Sequence, residues 1–165
     1  MREVDTEDGS TGPDAGAFPR IIGFRTLHDT SFIDTVGFVQ EEGRLRIVLA
    51  KELRDAAGGL VREVVDALLE EHGLRHDDIA HWILHPGGRK IIDAVRPALG
   101  LSEDQVRHSK FVLRNFGNMS SPTVLFVLDR TVRDPALPDR PKAGDLGVMI
   151  AMGPGLAVEG ALVRW

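Results

Sequence analysis

The sequence predicts an α/β fold: a mixed five-stranded sheet with helices packed on it. Three observations carry this. Near the C-terminal end, residues 145–152 (DLGVMIAM) and 156–163 (LAVEGALV) flank Gly153-Pro154-Gly155 and read as a hairpin. Three further strand-like stretches occupy 20–27, 43–50 and 80–84. Segments with helical periodicity lie between them, so strands and helices interleave, an order that sets helices against a sheet. The 165 residues suit a single core, and there is no internal repeat. Residues 1–17 are rich in Gly, Asp, Glu, Ser and Thr and are expected to be a mobile acidic tail, leaving 18–165 as the domain.

Each element has its own signal. In 20–27 (RIIGFRTL), Gly23 weakens an otherwise apolar strand. In 43–50, Leu45, Ile47 and Leu49 alternate. From 52 to 71, Leu53, Leu60, Val64, Val65, Leu68 and Leu69 recur at helical spacing, and Gly73 stands where a glycine ends a helix. The strand 80–84 runs into Pro86-Gly87-Gly88. A helix carrying Ile91, Ile92, Val95 and Leu99 follows and stops at Gly100. Ser102 and Gln105 fit a capping box ahead of a short helix at 106–115. Asn118 or a following Ser is expected to cap a third helix, 119–131. That helix carries Val124, Leu125, Phe126, Val127 and Leu128 in succession, so apolar groups point all round it. Such a helix needs cover on every side. Either it is central in this fold, or another subunit covers its second side.

The totals exclude several classes. A net charge of −5 argues against a nucleic-acid protein, whose phosphate contacts need a basic face. No cysteine is present, so this chain holds no disulfide, no thiolate metal site and no cysteine nucleophile. No apolar run nears the ~20 residues of a membrane span. The N-terminus lacks the apolar stretch of a signal peptide, and a cytoplasmic location is expected.

Two turns can carry chemistry. His85 ends a strand and Asn118 starts a helix, and turns are where a scaffold presents side chains to a cleft. A neutral imidazole offers one N–H and a carboxamide two. If the two converge, they can hold a developing oxyanion, where one donor is typically worth ~2.7–4 kcal/mol. The plain reading stands beside this: a histidine before a Gly turn is often structural, and Asn at a helix start is a routine cap. His72, His76, His81 and His85 straddle a helix end, a loop and a strand without thiolate support, and no metal site is predicted. Asn118-Met119-Ser120 matches a glycosylation sequon, but nothing points to secretion. There is no phosphate loop, dinucleotide fingerprint or serine nucleophile elbow. Glu41, Glu42, Asp77 and Asp78 read as solvated surface.

Three phrases together resemble the C-terminal half of a type III polyketide synthase, the chalcone synthase family with its thiolase-type fold: HWILHPGG, VLRNFGNMSSPTVLFVLD and MGPGLAVE. They occur in order with family-like spacing, and the resemblance covers 18–165. RKIIDAV and VRHSKFVLR look closest to the bacterial dihydroxyphenylacetyl-CoA synthase branch. The resemblance implies that His85 and Asn118 are catalytic. They would hold the malonyl thioester carbonyl while carbon dioxide leaves. It also implies a substrate cavity touched by Gly87, Gly88, Met152, Gly153, Pro154 and Gly155, with Ile47 near the place of a gatekeeper aromatic. Malonyl-CoA and an acyl-CoA starter would be the substrates, with no metal or organic cofactor. The family's cysteine and its coenzyme A grip lie in the other half. The implied assembly is therefore a hetero-oligomer in which a Cys-bearing partner chain completes the synthase, and chain extension by this chain alone is not expected. A non-catalytic scaffold or regulatory subunit pairing with a synthase is the alternative. Two positions depart from the family pattern: Ala151 replaces a Gly, and Arg54 falls where Pro is frequent.

Overall fold

A computed structural model describes residues 18–32, 36–49, 51–134, 140–154 and 156–165. The predicted tail 1–17 and the turn residue Gly155 lie outside the described residues. In chain order the elements are β1 (Arg20–His28), β2 (Val36–Glu41), β3 (Arg44–Leu49), α1 (Lys51–Glu71), β4 (His81–Leu84), α2 (Arg89–Ala98), α3 (Arg107–Phe116), α4 (Pro122–Arg133), β5 (Leu146–Gly153) and β6 (Ala157–Arg164). None of the described helices is long and apolar enough to cross a membrane.

The main sheet runs β1-β6-β5-β4, with β4 parallel to β5 and the other neighbours antiparallel. The class is α/β as predicted, but this sheet has four strands rather than five. The stretch expected as a fifth strand, 43–50, forms β3 and folds back on β2, apart from the main sheet. The cause is local. Glu42 and Gly43 both take positive φ, 53° and 74°, which is the conformation of a two-residue hairpin turn whose twist suits the flanking strands. β2 itself escapes sequence reading, because its six residues, VGFVQE, carry a glycine and too few positions for a clear alternation.

Helices cover both faces of β4. Trp82 and Leu84 join α1 and α2 in the larger core, with Val61, Val64, Val65 and Leu68 from α1 and Ile91, Ile92 and Val95 from α2. Ile83, between them in sequence, points the other way and packs with Val112 of α3 and Val127 of α4. A strand buried on both faces reads as a continuous apolar run, and HWIL does so after its first residue. The ends of α1 and α2 follow the glycine rule. Gly73 N–H bonds Glu70 O and Leu74 N–H bonds Leu69 O, while Gly100 and Leu101 repeat the pattern on Pro97 and Arg96.

The start of α4 differs from expectation. The helix begins at Pro122, not at 119, and Ser121 precedes it without a side-chain cap bond. Proline suits the first helical position, whose N–H has no intrahelical partner. The apolar girdle is covered on one side only. Val127 is fully buried, whereas Leu125 and Phe126 are 57% and 42% exposed. Ile21 and Phe24 on the edge strand β1 are exposed as well.

Candidate active site

β4 and β5 run parallel, so their C-terminal ends lie side by side. His85 sits one residue beyond β4, where its N–H bonds Ile150 O at 2.8 Å. Pro86 is buried, and Gly87 N–H returns to His85 O at 3.0 Å, closing a tight turn. Gly88 then opens α2, its carbonyl accepting from Ile91 N and Ile92 N. Behind the turn, the fully buried Ser109 of α3 donates its hydroxyl to Leu84 O at 2.7 Å. That bond fixes the residue next to His85 to the helix layer. Sequence reasoning missed Ser109. Its signal is a lone hydroxyl on the buried face of α3, between His108 and Val112.

The His85 ring is half-buried, and among the described residues no group hydrogen-bonds its nitrogens. Burial pushes its pKa below the ordinary histidine value. At neutral pH it is therefore the uncharged imidazole, with one N–H to donate and one lone pair.

Asn118 comes from the turn between α3 and α4, after Gly117 at φ 72°. It does not cap α4 directly. Its side-chain oxygen accepts from Ser120 N–H at 2.9 Å and from the Thr123 hydroxyl at 3.4 Å. Thr123, fully buried, also accepts from Met119 N–H at 2.8 Å. With the oxygen turned onto its own loop, the carboxamide nitrogen points outward and donates to Gly87 O at 3.1 Å. The turn after His85 and the turn bearing Asn118 are thus joined through Gly87, across 31 residues of sequence. One amide hydrogen remains uncommitted.

The other predicted residues fall into two groups. Met152 and Gly153 end β5 opposite Val158 and Ala157, at the same end of the sheet as His85. Met152 packs against the main core, and Pro154 is exposed at the turn. Beyond it Leu156 is fully buried with φ 51°, and its carbonyl accepts from Asp29 N–H at 3.4 Å. Ile47 pairs with Phe38 in the β2–β3 hairpin and has no pairing to the His85 or Asn118 turns. Of the four clustered histidines, the three besides His85 have separate partners. His72 meets Leu68 O and Ile22 O, His76 meets Asp66 and His81 meets Asp145.

The profile of the chalcone and stilbene synthases, C-terminal domain, matches residues 29–165. The chain belongs to that family. It is 38% identical over 151 residues to the 3,5-dihydroxyphenylacetyl-CoA synthase of Amycolatopsis orientalis, an alignment covering 90% of this chain and 40% of that protein. The 1,3,6,8-tetrahydroxynaphthalene synthase of Streptomyces peucetius subsp. caesius is 43% identical over 143 residues, covering 87% of this chain and 31% of the relative. Among solved structures, PKS-I from the brown alga Ectocarpus siliculosus superposes with a TM-score of 0.79 at 29% identity, over 93% of this chain and 41% of that one. The tetrahydroxynaphthalene synthase of Streptomyces coelicolor A3(2), a bacterial type III polyketide synthase, superposes at 0.80 with 24% identity over 89% of this chain and 41% of that one, and bears on fold alone. The fold is thus the thiolase-type fold of type III polyketide synthases. The chain spans between 31% and 41% of the length of these relatives.

Chemically, the corner offers one neutral imidazole and one carboxamide held by their turns. Such donors act most strongly where water is excluded and no reorganisation is needed. Asn118 is exposed among the described residues.

Proposed function

We propose that this chain is the C-terminal subunit of a type III polyketide synthase, supplying the His–Asn site, with a partner chain supplying the nucleophilic cysteine. The observation that carries the reading is the bond from Asn118 Nδ2 to Gly87 O, which holds the carboxamide beside the turn of an uncharged, unpartnered His85.

The chemistry follows from donors and electron pairs. A malonyl thioester lies with its thioester carbonyl oxygen toward His85 and Asn118. The bond between its α-carbon and the free carboxylate breaks, and carbon dioxide leaves. The electron pair moves onto the α-carbon and thioester oxygen as an enolate. The imidazole N–H and the free amide hydrogen hold that oxygen, so no metal or organic cofactor is required. The α-carbon then attacks the acyl thioester on the partner's cysteine, and the thiolate departs. With no cysteine in these 165 residues, that acyl carrier lies elsewhere, and chain extension by this chain alone does not proceed. Leu125 and Phe126 of α4 and Phe24 of β1, apolar and uncovered, are the surface offered to the partner.

The test is co-expression with a Cys-bearing half, followed by malonyl-CoA decarboxylation, with His85→Ala beside the unsubstituted complex. Decarboxylation that depends on this chain and falls with His85→Ala supports the reading. Full activity of the partner alone assigns this chain to the scaffold alternative.

A further inference from the structure

At the start of β4, the opposite end of the strand from His85, a cleft of ≈ 320 Å³ opens between β4, the entry to α3, the last turn of α4 and the segment leading into β5. Its walls include Trp82, Arg107, His108, Thr131, Arg140 and Lys142. Two of these residues carry buried N–H groups with no acceptor among the described residues: Trp82 Nε1 and Arg107 Nε. Trp82 is only 4% exposed. Buried donors nearly always find acceptors, but these two atoms are closed to solvent and so lie behind the cleft wall rather than on its open face.

The charges on the open face point to a ligand. Both wall carboxylates are engaged: Asp104 takes Arg107 Nη1, and Asp145 takes His81 Nε2 at 3.1 Å and Lys142 N–H at 2.9 Å. Arg140 spends its Nε on the backbone carbonyl of Asp134, at 3.2 Å. Among the described residues, no carboxylate pairs with the rest of its guanidinium or with the Lys142 ammonium. His108 on the same wall is neutral at pH 7. Burial first, then the Arg107 and Arg130 charges, hold its pKa down at about 4, against the opposing pull of Asp134 and Asp104. A neutral imidazole and spare cations suit an anion that only accepts hydrogen bonds. With its carboxylates already bonded, the cleft does not suit a cation.

We propose that this cleft binds a phosphate-class oxyanion, held by the charges of Arg107, Arg140 and Lys142. The site stands whether or not the His–Asn reading does. An occupant would tie the entry of α3 and the segment before β5 to β4, and so stabilise the fold in proportion to its concentration.

Inorganic phosphate is titrated into the full chain at constant ionic strength, balanced with sodium chloride. Intrinsic fluorescence and Tm are the readouts, since Trp82 is one of only two tryptophans. The expected result is saturable: a change in emission that Trp82→Phe removes, and a rising Tm. Arg140→Gln combined with Lys142→Gln, both exposed positions, should weaken binding at least tenfold, with only the small fall in phosphate-free Tm that loss of the Arg140 bond to Asp134 O brings. A parallel titration with coenzyme A identifies the source. Loss of its binding in the same double variant assigns the site to a phosphate carried by that molecule. Retention of its binding leaves free phosphate as the ligand. No saturable response to inorganic phosphate, or a response unchanged in the double variant, overturns the proposal.

Discussion

Ser109→Ala is the most informative single change outside the His85–Asn118 pair. It removes one oxygen atom and one hydrogen bond, from the Ser109 hydroxyl to Leu84 O at 2.7 Å, at a position with no exposure. A buried neutral hydrogen bond contributes ~0.5–1.5 kcal/mol net, and a carbonyl left short of a partner costs ~1–3 kcal/mol. The expected loss is therefore about 1–3 kcal/mol. At about 2–4 °C per kcal/mol for a chain of this size, the Tm falls by roughly 2–12 °C. Leu84 precedes His85 directly, so the same change loosens the imidazole. In the complex, the decarboxylation rate should fall at temperatures where the variant is still folded. Denaturant unfolding gives the first number, and kcat at low temperature gives the second. A variant as stable as the parent would refute the reasoning that this hydroxyl anchors the end of β4.

Other expectations follow from the same contacts. Gly160 of β6 lies under α1, and a Cβ there would stand 2.8 Å from Val64 Cγ1 and 3.3 Å from Ile150 Cδ1. Gly160→Ala should cost ~1–3 kcal/mol by overpacking, read from the denaturation midpoint. Leu125→Lys with Phe126→Lys should change the stability of the isolated chain by no more than ~0.5 kcal/mol per site, because both positions are exposed, yet should abolish co-purification with the partner. His108 has a folded pKa of about 4, below the ordinary histidine value of 6.5, because it is buried. The unfolded chain thus binds the extra proton first, and the stability from the neutral ring is complete above pH 6.5 and lost as pH falls through about 4. Unfolding followed from pH 7 to 4 should show that slope, of order 3 kcal/mol in total, and His108→Gln should flatten it.

Much of this structure was legible because local signals agreed with tertiary ones. Gly73 and Gly100 ended helices as their backbone requires, and HWIL read as a strand buried on both faces. The hairpin β2–β3 was not legible, because whether a strand joins a sheet or closes on its neighbour is settled by the turn, and Glu42-Gly43 lacks an Asn or Asp that would have flagged it. The start of α4 was misjudged because Asn118 has two competing acceptor tasks. Its own loop and Thr123 took the oxygen, leaving Pro122 to open the helix. His85 and Asn118 could be named from their turns and from the family phrases. Their junction at Gly87 could not, since a bond across 31 residues depends on how α3 crosses behind β4. The cleft at the far end of β4 left no motif, for its walls come from four separate segments.

The central claim is that one imidazole and one carboxamide hold the same enolate oxygen. The direct measurement is a double-mutant cycle on malonyl-CoA decarboxylation in the assembled complex, using His85→Ala, Asn118→Ala and both together. Each single change should lower kcat by roughly 10²–10³, the loss expected for one oxyanion donor. The double variant should lose less than the product of the two, because donors that share an atom are coupled. If Asn118→Ala runs at the parent rate in a folded complex, or if the two losses multiply as for independent sites, the shared-oxyanion account is contradicted.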